Sequence, residues 1–447
     1  MKSSNPISSY IKTWATEEAR IVVGNFPLHK SYAHSLVLPL CEERKNLPTL
    51  FSHIEKATNH KKTLVICVIN QQEKSGKERS LDNKLSLDWL LKDSEKLSIV
   101  SSQPPITLAE RGHLSLLIID RWSDGHRFKE GQGVGLARKI GCDIACALIN
   151  NKKIADHWIR TTDGDARIPK DYFAQKDSTK NTLIYKFRHI QGKTHQAAFP
   201  ALMAYECWLR YYRLGLVYAK SPNRYHAIGS LISVKAKAYA EVRGFSKKSA
   251  GEDFYLLNKL RKIGGLCHHE GQPVELLCRL SDRVPFGTGQ GTSKILQLYN
   301  QGKDYKVYHP DIFELLKIIF KVAAENKCES GFANSMSQNL NHLDERQTIE
   351  DIFKTSQIEK KWNLAVKQAK SAEGARAEFY KSFDSFKILK LVHELRDHWR
   401  NNIPLVEALN RSPFLPFNTL ILNEWFAWLP QFDEKNEHEI NDDYNTP

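Results

Sequence analysis

Short apolar runs alternate with helically spaced apolar residues along the first part of the chain. Continuous apolar runs of this length are typical of strands that are buried on both faces of a sheet. They occupy residues 35–40, 63–70 and 114–120, and helical spacing between them is clearest over residues 134–148. This alternation predicts an α/β fold with a mostly parallel central sheet and helices on both faces. The polar residues 71–84 are expected to form a loop.

The pattern continues beyond residue 150 and then changes. A run rich in β-forming residues at 158–162 predicts a strand that ends next to Asp163. A further strand is expected over residues 182–189, and a long, aromatic-rich helix over residues 197–218. From about residue 305 the apolar spacing is mostly helical, which predicts a helical C-terminal region.

The 447 residues of the chain are enough for two or three domains. We predict an N-terminal extension over residues 1–30, an α/β domain over residues 31–300, a helical region over residues 301–432 and a polar tail over residues 433–447. The tail is polar and acidic, which is typical of a frayed terminus.

Composition and charge narrow the class of protein. With 41% hydrophobic and 26% charged residues, the chain is ordinary for a soluble globular protein. Its net charge of +14 favours anionic partners: nucleotides and diphosphates, nucleic acid, or an anionic membrane surface. The eight cysteines are scattered in mostly apolar surroundings, which predicts reduced thiols and a cytoplasmic location.

No apolar stretch reaches the roughly 18 uninterrupted residues that indicate a membrane-spanning helix. Residues 414–432 come nearest, but Pro416, Asn418, Asn423 and Glu424 interrupt them. A packed C-terminal helix is therefore favoured, and peripheral contact with the inner face of a membrane is the open alternative.

The candidate chemistry centres on Asp163 and Asp165, which only Gly164 separates. A strand that ends at this point would place two hard oxygen ligands side by side, and such ligands suit Mg²⁺ or Mn²⁺ bound to phosphate oxygens. The glycine would let the backbone bend so that both carboxylates approach one centre. The Asp-Gly-Asp pattern is also common in solvent-exposed turns, so the surrounding sequence decides between a metal site and an ordinary turn.

Polar residues also lie at the predicted ends of strands and at the start of a predicted helix. Glu42, Asn70 and Asp120 fall at the carboxyl ends of predicted strands, where parallel α/β sheets bind their ligands. Glu252 and Asp253 fall in the first turn of a predicted helix, where acids are favourable with the helix dipole.

Four motifs occur in an informative order, within residues 37–47, 133–141, 162–173 and 242–256. They are a proline-containing turn after the first strand, a glycine-rich helix start with Ala-Arg, the Asp-Gly-Asp pair followed by Pro-Lys-Asp-Tyr, and a Gly-Phe turn followed by Glu-Asp. Together they resemble the family-2 glycosyltransferases, which have the GT-A nucleotide-sugar-binding fold. The resemblance covers about residues 34–290.

The resemblance implies a metal-dependent transfer of one sugar, with inversion, from a nucleotide-sugar donor to an acceptor hydroxyl. Asp253 is then the general base, with Glu252 as the alternative. The ion, Mg²⁺ or Mn²⁺, is held by Asp163 and Asp165, and His268 is a candidate third ligand. Arg138 and Arg283 are candidates to bind the diphosphate, because the planar guanidinium group can donate two hydrogen bonds to phosphate oxygens. The candidate donor-binding residues are Pro39, Leu40, Glu42, Glu43, Asn70, Arg138, Asp163 and Arg283.

Some features depart from the family pattern. Asn70 stands where the family often has an acidic pair, and Glu42 stands where asparagine is usual, so the nucleotide of the donor is open. The membrane helices of processive synthases are absent, which indicates single sugar transfer. The acceptor is also open: a saccharide, a lipid-linked sugar or a small molecule.

Two other classes of function are compatible with parts of the sequence. A sugar-phosphate nucleotidyltransferase would have a glycine-rich signature after the first strand, which residues 41–47 lack. A non-catalytic binding protein on a transferase-like fold would have no need of both acidic pairs. No motif with interleaved aromatic residues indicates nucleic acid, so no nucleic-acid partner is predicted.

Overall fold

A computed structural model describes residues 5–174, 179–192, 196–280, 287–326, 331–341 and 345–436. In chain order, the strands are β1 (His34–Leu40), β2 (Thr63–Asn70), β3 (Lys96–Ser102), β4 (Pro105–Arg111), β5 (Leu114–Arg121), β6 (Trp158–Thr161), β7 (Ala166–Arg167), β8 (Thr182–Ile184), β9 (Phe187–Ile190), β10 (Ile232–Lys235), β11 (Leu266–His268), β12 (Val274–Leu277), β13 (Lys306–Val307) and β14 (Ile403–Pro404). The α-helices are α1 (Pro6–Thr13), α2 (Glu17–Asn25), α3 (Leu47–Ala57), α4 (Lys77–Leu91), α5 (Val134–Asn150), α6 (Phe199–Tyr218), α7 (Ala236–Glu241), α8 (Glu252–Ile263), α9 (Thr288–Asn300), α10 (Asp311–Glu325), α11 (Phe332–Asn339), α12 (Arg346–Thr355), α13 (Ile358–Gln368), α14 (Ala372–Ser382), α15 (Ser385–His398), α16 (Leu405–Arg411) and α17 (Leu422–Lys435).

Within the described residues, nine strands form one sheet in the order β11-β8-β10-β6-β1-β2-β5-β4-β3. Seven of them run in one direction, and β4 and β10 run in the opposite direction. The central strands β1, β2 and β5 are apolar along their length because helices such as α5 cover them. The predicted α/β class is confirmed, with its large, mostly parallel sheet, surrounding helices and helical C-terminal region.

The order of the strands fixes where a ligand can bind. From β1 the chain adds β2 and then β5 on one side, and after α5 it returns to add β6 on the other side of β1. The crevice at the carboxyl ends of β1 and β6 is therefore a topological switch point, the usual ligand position in such sheets. Residues 41–46 follow β1 and Asp163 follows β6, so both segments lie at this crevice.

The chain divides into two compact units. The first unit contains residues 1–196 and 227–290, and the second contains residues 197–226 and 291–447. The N-terminal residues are part of the first unit, where the hydroxyl of Tyr10 donates to Asp143 of α5 at 2.5 Å. Helix α6 is part of the second unit, although its residues lie within the range predicted for the α/β domain. The domain bounds proposed from the sequence stay a prediction.

Three stretches differ from their predicted secondary structure. Helix α4 begins at Lys77, inside the segment expected to be a loop, and it buries only Asn83, Ser86 and Leu90. A helix with so small a buried face has no apolar period to detect. The hairpin of β3 and β4 was not predicted. The strand expected over residues 182–189 is two strands, β8 in the main sheet and β9 in a three-stranded sheet with β7 and β12.

The second unit is built around the long helix α6. Its last described helix, α17, packs on α6 and buries Trp425 and Leu429 completely, as expected for a packed C-terminal helix. No helix in the described ranges is long and apolar enough to cross a bilayer. Peripheral membrane contact stays a prediction.

Charged side chains also hold α17 to this unit. Asp433 is fully buried, and its carboxylate accepts hydrogen bonds from Arg213, from Arg210 at 2.8 Å and from the ring of His226 at 2.8 Å. Arg210 also pairs with Glu206 at 2.7 Å, so its buried guanidinium contacts two carboxylates. Burial alone would raise the pKa of Asp433, but the charges of Arg213, His226 and Arg210 outweigh it and hold this pKa well below its usual range.

Candidate active site

One buried arginine joins three of the four sequence motifs. Asp163 lies just beyond β6, where Thr162 still donates its backbone N–H to Val37 of β1 at 3.1 Å. Nη2 of Arg138, from the first turns of α5, donates to Oδ1 of Asp163 at 2.6 Å, and its Nη1 donates to Oε1 of Glu252. Arg138 and Glu252 are both buried. The glycine-rich helix, the Asp-Gly-Asp pair and the Glu-Asp pair therefore meet at one guanidinium.

A close backbone approach at Gly135 makes this meeting possible. A Cβ atom at this position would lie 2.2 Å from the carbonyl oxygen of Lys248 and 3.1 Å from Cβ of Glu252. Only glycine lets the start of α5 lie against the segment that leads into α8. The glycine of the second motif thus brings Glu252 within reach of Arg138.

A second arginine, Arg279, joins the first motif to the third. It lies two residues beyond β12, which pairs with β7 directly after Asp165. Its Nε lies 2.6 Å from Oδ2 of Asp165, and its Nη1 lies 2.8 Å from Oε1 of Glu43. Glu43 is itself held by the side-chain amide of Asn46 at 2.8 Å.

Sequence reasoning did not select Arg279. It selected Arg283 for the diphosphate, and Arg283 lies outside the described residues. In the sequence, Arg279 is recognisable only as an arginine that follows a short apolar stretch. The pairing of β12 with β7 is what shows that this stretch lies beside the Asp-Gly-Asp pair.

Among the described residues, the two arginines Arg138 and Arg279 face five carboxyl groups. Burial alone would lower the pKa of each arginine, but the facing carboxylates outweigh it and raise both pKa values. The carboxyl groups belong to Glu43, Asp163, Asp165, Glu252 and Asp253.

Asp253 has the electrostatic character of a base near neutral pH. Burial, followed by the negative charge of Glu252, raises the pKa of Asp253 from 3.8 to about 7. Its Oδ1 accepts the backbone N–H of Phe254 at 2.7 Å. The N-cap of α8 is Gly251, without a side-chain capping bond, so Asp253 does not cap the helix in the usual way. Glu252 is engaged by Arg138, which leaves Asp253 as the more approachable carboxyl group.

The other predicted donor-binding residues lie at the ends of β1 and β2. Pro39 and Leu40 are the buried last residues of β1. Asn70 donates its amide to the carbonyls of Leu40 at 3.0 Å and Val68 at 3.2 Å, so it ties the two strand ends together. Glu42 has a positive φ of 57° and pairs with Arg79 at 2.8 Å. Their roles in donor binding stay predictions.

The structure does not bring His268 to the two aspartates. In the sheet, His268 pairs with Ile184, Ile184 with Ile232, and Ile232 with Thr161. Three strand spacings of about 4.8 Å place His268 roughly 14 Å from the end of β6, too far for ligands of one ion. Among the residues that the structure describes, no group of three His, Cys, Asp or Glu could hold a metal ion.

A divalent ion completed by phosphate oxygens nevertheless fits the oxygen donors that are present. Magnesium is usually bound by one or two carboxylates together with substrate phosphates. Asp165 and Glu43 both contact the guanidinium of Arg279, so the two carboxylates already face a positive charge. In chemical type, these oxygens match the ligands of an ion that arrives with a diphosphate.

Replacing Gly164 with alanine should weaken donor binding by about tenfold, or about 1.4 kcal/mol. The new Cβ atom would lie 2.6 Å from Cδ of Glu43, which would have to move away from Arg279. The measurement is calorimetric titration with nucleoside diphosphate. Gly264→Ala is a control, because its Cβ atom would meet Asn181 at 2.5 Å, which is equally crowded but outside the network. Equal diphosphate affinity in the two variants would contradict a role for Glu43 in the site.

Comparisons with known proteins find distant likenesses. No protein-family model matches the sequence, and no curated protein sequence matches it. One similar solved structure is the crystal structure of residues 1–349 of TarS from S. aureus, with 10% identity, a TM-score of 0.33, and coverage of 78% of this chain and 89% of that one. Another is the mannosyltransferase PcManGT from Pyrobaculum calidifontis in complex with GDP-Man and Mn²⁺, with 12% identity, a TM-score of 0.30, and coverage of 89% of this chain and 95% of that one. Likenesses of this degree carry no weight for function, and the function proposed for this chain rests on its own residues.

Proposed function

We propose that this chain is a family-2-like glycosyltransferase that moves one sugar from a nucleotide-sugar donor to an acceptor hydroxyl, with inversion at the sugar carbon. One observation carries the proposal. Motifs that span residues 37–256 come together in one charged network through Arg138 and Arg279. The network lies at the carboxyl ends of β1 and β6, where sheets of this kind bind ligands.

The first role that we propose is that of Asp253 as the general base. The acceptor oxygen attacks the sugar carbon and forms the new bond, while the bond to the nucleoside diphosphate breaks and the diphosphate leaves with its electrons. The acceptor proton passes to the ionised carboxylate of Asp253 as this happens. Glu252 holds Arg138 in place and is the second candidate for the base.

The second role that we propose is that of Asp163, Asp165 and Glu43 at the donor. With Arg138 holding Asp163 and Arg279 beside Asp165, these carboxylates lie where a diphosphate-bound Mg²⁺ or Mn²⁺ would find oxygen ligands. When bound, such an ion would neutralise negative charge on the leaving diphosphate.

A thermal-shift screen of nucleotide-sugars tests the donor class. Each compound is added with and without Mn²⁺, and a donor at about 100 times its Kd should stabilise the folded chain by about 2.7 kcal/mol. We expect the stabilising compounds to share one nucleotide. If no nucleotide-sugar or nucleoside diphosphate raises the melting temperature under either condition, the proposed function is wrong.

Replacing Asp165 with alanine should abolish the part of donor binding that depends on Mn²⁺, because the variant lacks one of the carboxylates proposed to bind the ion. Calorimetry with nucleoside diphosphate and Mn²⁺ measures this directly. Asp124→Ala is the control, since Asp124 is exposed and pairs only at the surface with Arg127 at 2.6 Å. Unchanged diphosphate affinity in the Asp165 variant would exclude this carboxylate from the metal site.

A further inference from the structure

The loop after β1, residues 41–46, is held by polar side chains of helix α4. The backbone N–H of Glu42 donates to Oδ1 of Asn83 at 3.1 Å, and that of Arg44 donates to Oδ1 of Asp82 at 3.1 Å. The side chain of Glu42 also pairs with that of Arg79 at 2.8 Å. Helix α4 therefore anchors this loop at the carboxyl end of β1, where the proposed donor binds.

Asn83 uses both ends of its side-chain amide in this contact. It is completely buried. Its Oδ1 accepts the N–H of Glu42, while its Nδ2 donates to the backbone carbonyl of Asn70 at 3.2 Å and to Oε1 of Gln71 at 3.0 Å. An amide side chain supplies both an acceptor and donors, which an ionised carboxylate or an apolar side chain does not. Asn83 thus ties the loop after β1 to the end of β2.

The bond to Asn83 falls at a residue with an unusual backbone conformation. Glu42 has a φ of 57°, in the left-handed region that residues other than glycine rarely adopt. Surrounding contacts must hold a residue in such a conformation. The next residue, Glu43, is buried, and its Oε1 lies 2.8 Å from Nη1 of Arg279. The backbone at Glu42 therefore sets the direction in which the chain presents Glu43 to the site.

We propose that Asn83 is a positioning residue for the donor, which holds residues 41–46 in the binding conformation before the donor arrives. A loop that is already ordered favours binding, because the free energy of ordering it is not lost when the ligand binds. The inference rests on the proposed function, in which the diphosphate binds beside Glu43. It assigns to Asn83 a role that acts through Glu42, without contact between Asn83 and the donor.

The test compares Asn83→Leu with the wild type in two measurements. Leucine is similar in size and forms no hydrogen bond, so the backbone amides of residues 41–46 should exchange with solvent about tenfold faster or more, as measured by hydrogen exchange and mass spectrometry. Calorimetry with UDP, GDP, ADP, CDP and dTDP in the presence of Mn²⁺ identifies the diphosphate that the wild type prefers. The variant should bind that diphosphate about tenfold more weakly or worse.

Two further variants test whether the position of the loop is the cause. Asn83→Asp keeps an oxygen that accepts the N–H of Glu42, so it should restore most of the diphosphate affinity that Asn83→Leu loses. Asp82→Ala removes the second anchor of the loop, and it should weaken diphosphate binding about threefold. Asp82 is only partly buried, so this variant should fold even where a substitution of Asn83 does not.

Asn410→Leu is the matched control for loss of an amide. The side chain of Asn410 donates to the carbonyl of Leu420 at 3.1 Å and accepts the indole N–H of Trp425 at 2.9 Å, but it belongs to the second unit. This variant should lose stability and change neither the exchange of residues 41–46 nor the binding of diphosphate.

Three results would overturn the inference while leaving the proposed function intact. The first is unchanged hydrogen exchange of residues 41–46 in Asn83→Leu. The second is equal diphosphate affinity in Asn83→Leu and the wild type. The third is the same loss of diphosphate affinity in Asn410→Leu as in Asn83→Leu, which would mean that any loss of stability weakens binding. Failure of every diphosphate to bind the wild type would instead contradict the proposed function.

Discussion

Asp253→Asn is expected to lower the rate of sugar transfer by about a hundredfold or more and to leave donor binding intact. The substitution keeps the size of the side chain and removes its ability to accept the proton of the acceptor hydroxyl. Donor affinity, measured by calorimetry, and transfer rate, measured on the same preparation, separate loss of the base from loss of the site. If turnover survives, Asp253 is structural and Glu252 becomes the residue to test.

The pH dependence of the wild type follows from the raised pKa of Asp253. The base is active when ionised, so the acid limb of the rate profile should rise with pH and have its midpoint at about 7. For a carboxyl group with an ordinary pKa of about 3.9, the rate would already be level at pH 6. A profile without an acid limb between pH 5 and 8 would contradict the assignment of Asp253 as the base.

The stability of the same variant distinguishes a base from a helix cap. The folded-state pKa of Asp253 is raised above the unfolded value, so its favourable contribution is present at low pH and is lost as pH rises through about 7. Asp253→Asn should therefore be at least as stable as the wild type at pH 8. A capping role predicts the reverse, a loss of about 1 kcal/mol.

Asp433→Ala is expected to destabilise the second unit by about 3–5 kcal/mol, the largest stability effect that we predict. The substitution removes the carboxylate that contacts both Arg210 and Arg213, so two buried guanidinium groups lose a negatively charged partner. Urea unfolding at pH 7 measures the change. Glu378→Ala, which removes an exposed pair with Lys381 at 2.7 Å, is the control and should change stability by less than about 0.5 kcal/mol.

The sign of the pH effect at Asp433 is opposite to that at Asp253. Because the folded-state pKa of Asp433 is lowered, its contribution is fully present above the unfolded value of about 3.9 and is lost as pH falls toward the folded value. The difference between the wild type and Asp433→Ala should shrink as the solution is acidified below about pH 4. Equal urea midpoints for Asp433→Ala and Glu378→Ala at pH 7 would show that the buried network adds nothing.

Local patterns in the sequence were sufficient for the three central strands β1, β2 and β5 of the sheet. The runs that form β1, β2 and β5 are apolar because both faces are covered, and this signal is contained in a few consecutive residues. The motif residues Asp163 and Arg138 were identified in the same way. The sequence assigned Arg138 to the diphosphate and did not predict its contact with Asp163.

The remaining features depend on contacts between distant parts of the chain. Arg279 reaches Asp165 through the pairing of β12 with β7, which no local pattern specifies. Asp433 lies more than 200 positions from its partners Arg210 and Arg213, in a segment whose composition predicted only a polar tail. A charged side chain that is buried by such contacts has the same sequence signature as one on the surface.

The most direct test of the proposed activity is to incubate the purified chain with a mixture of nucleotide-sugars and to measure the release of nucleoside diphosphate by mass spectrometry. Water or added saccharides serve as acceptors. We predict that one class of donor is consumed by the wild type and by Asp124→Ala, and that Asp253→Asn consumes it about a hundredfold more slowly. Consumption of no donor by the wild type, or equal consumption by Asp253→Asn, would contradict the proposal.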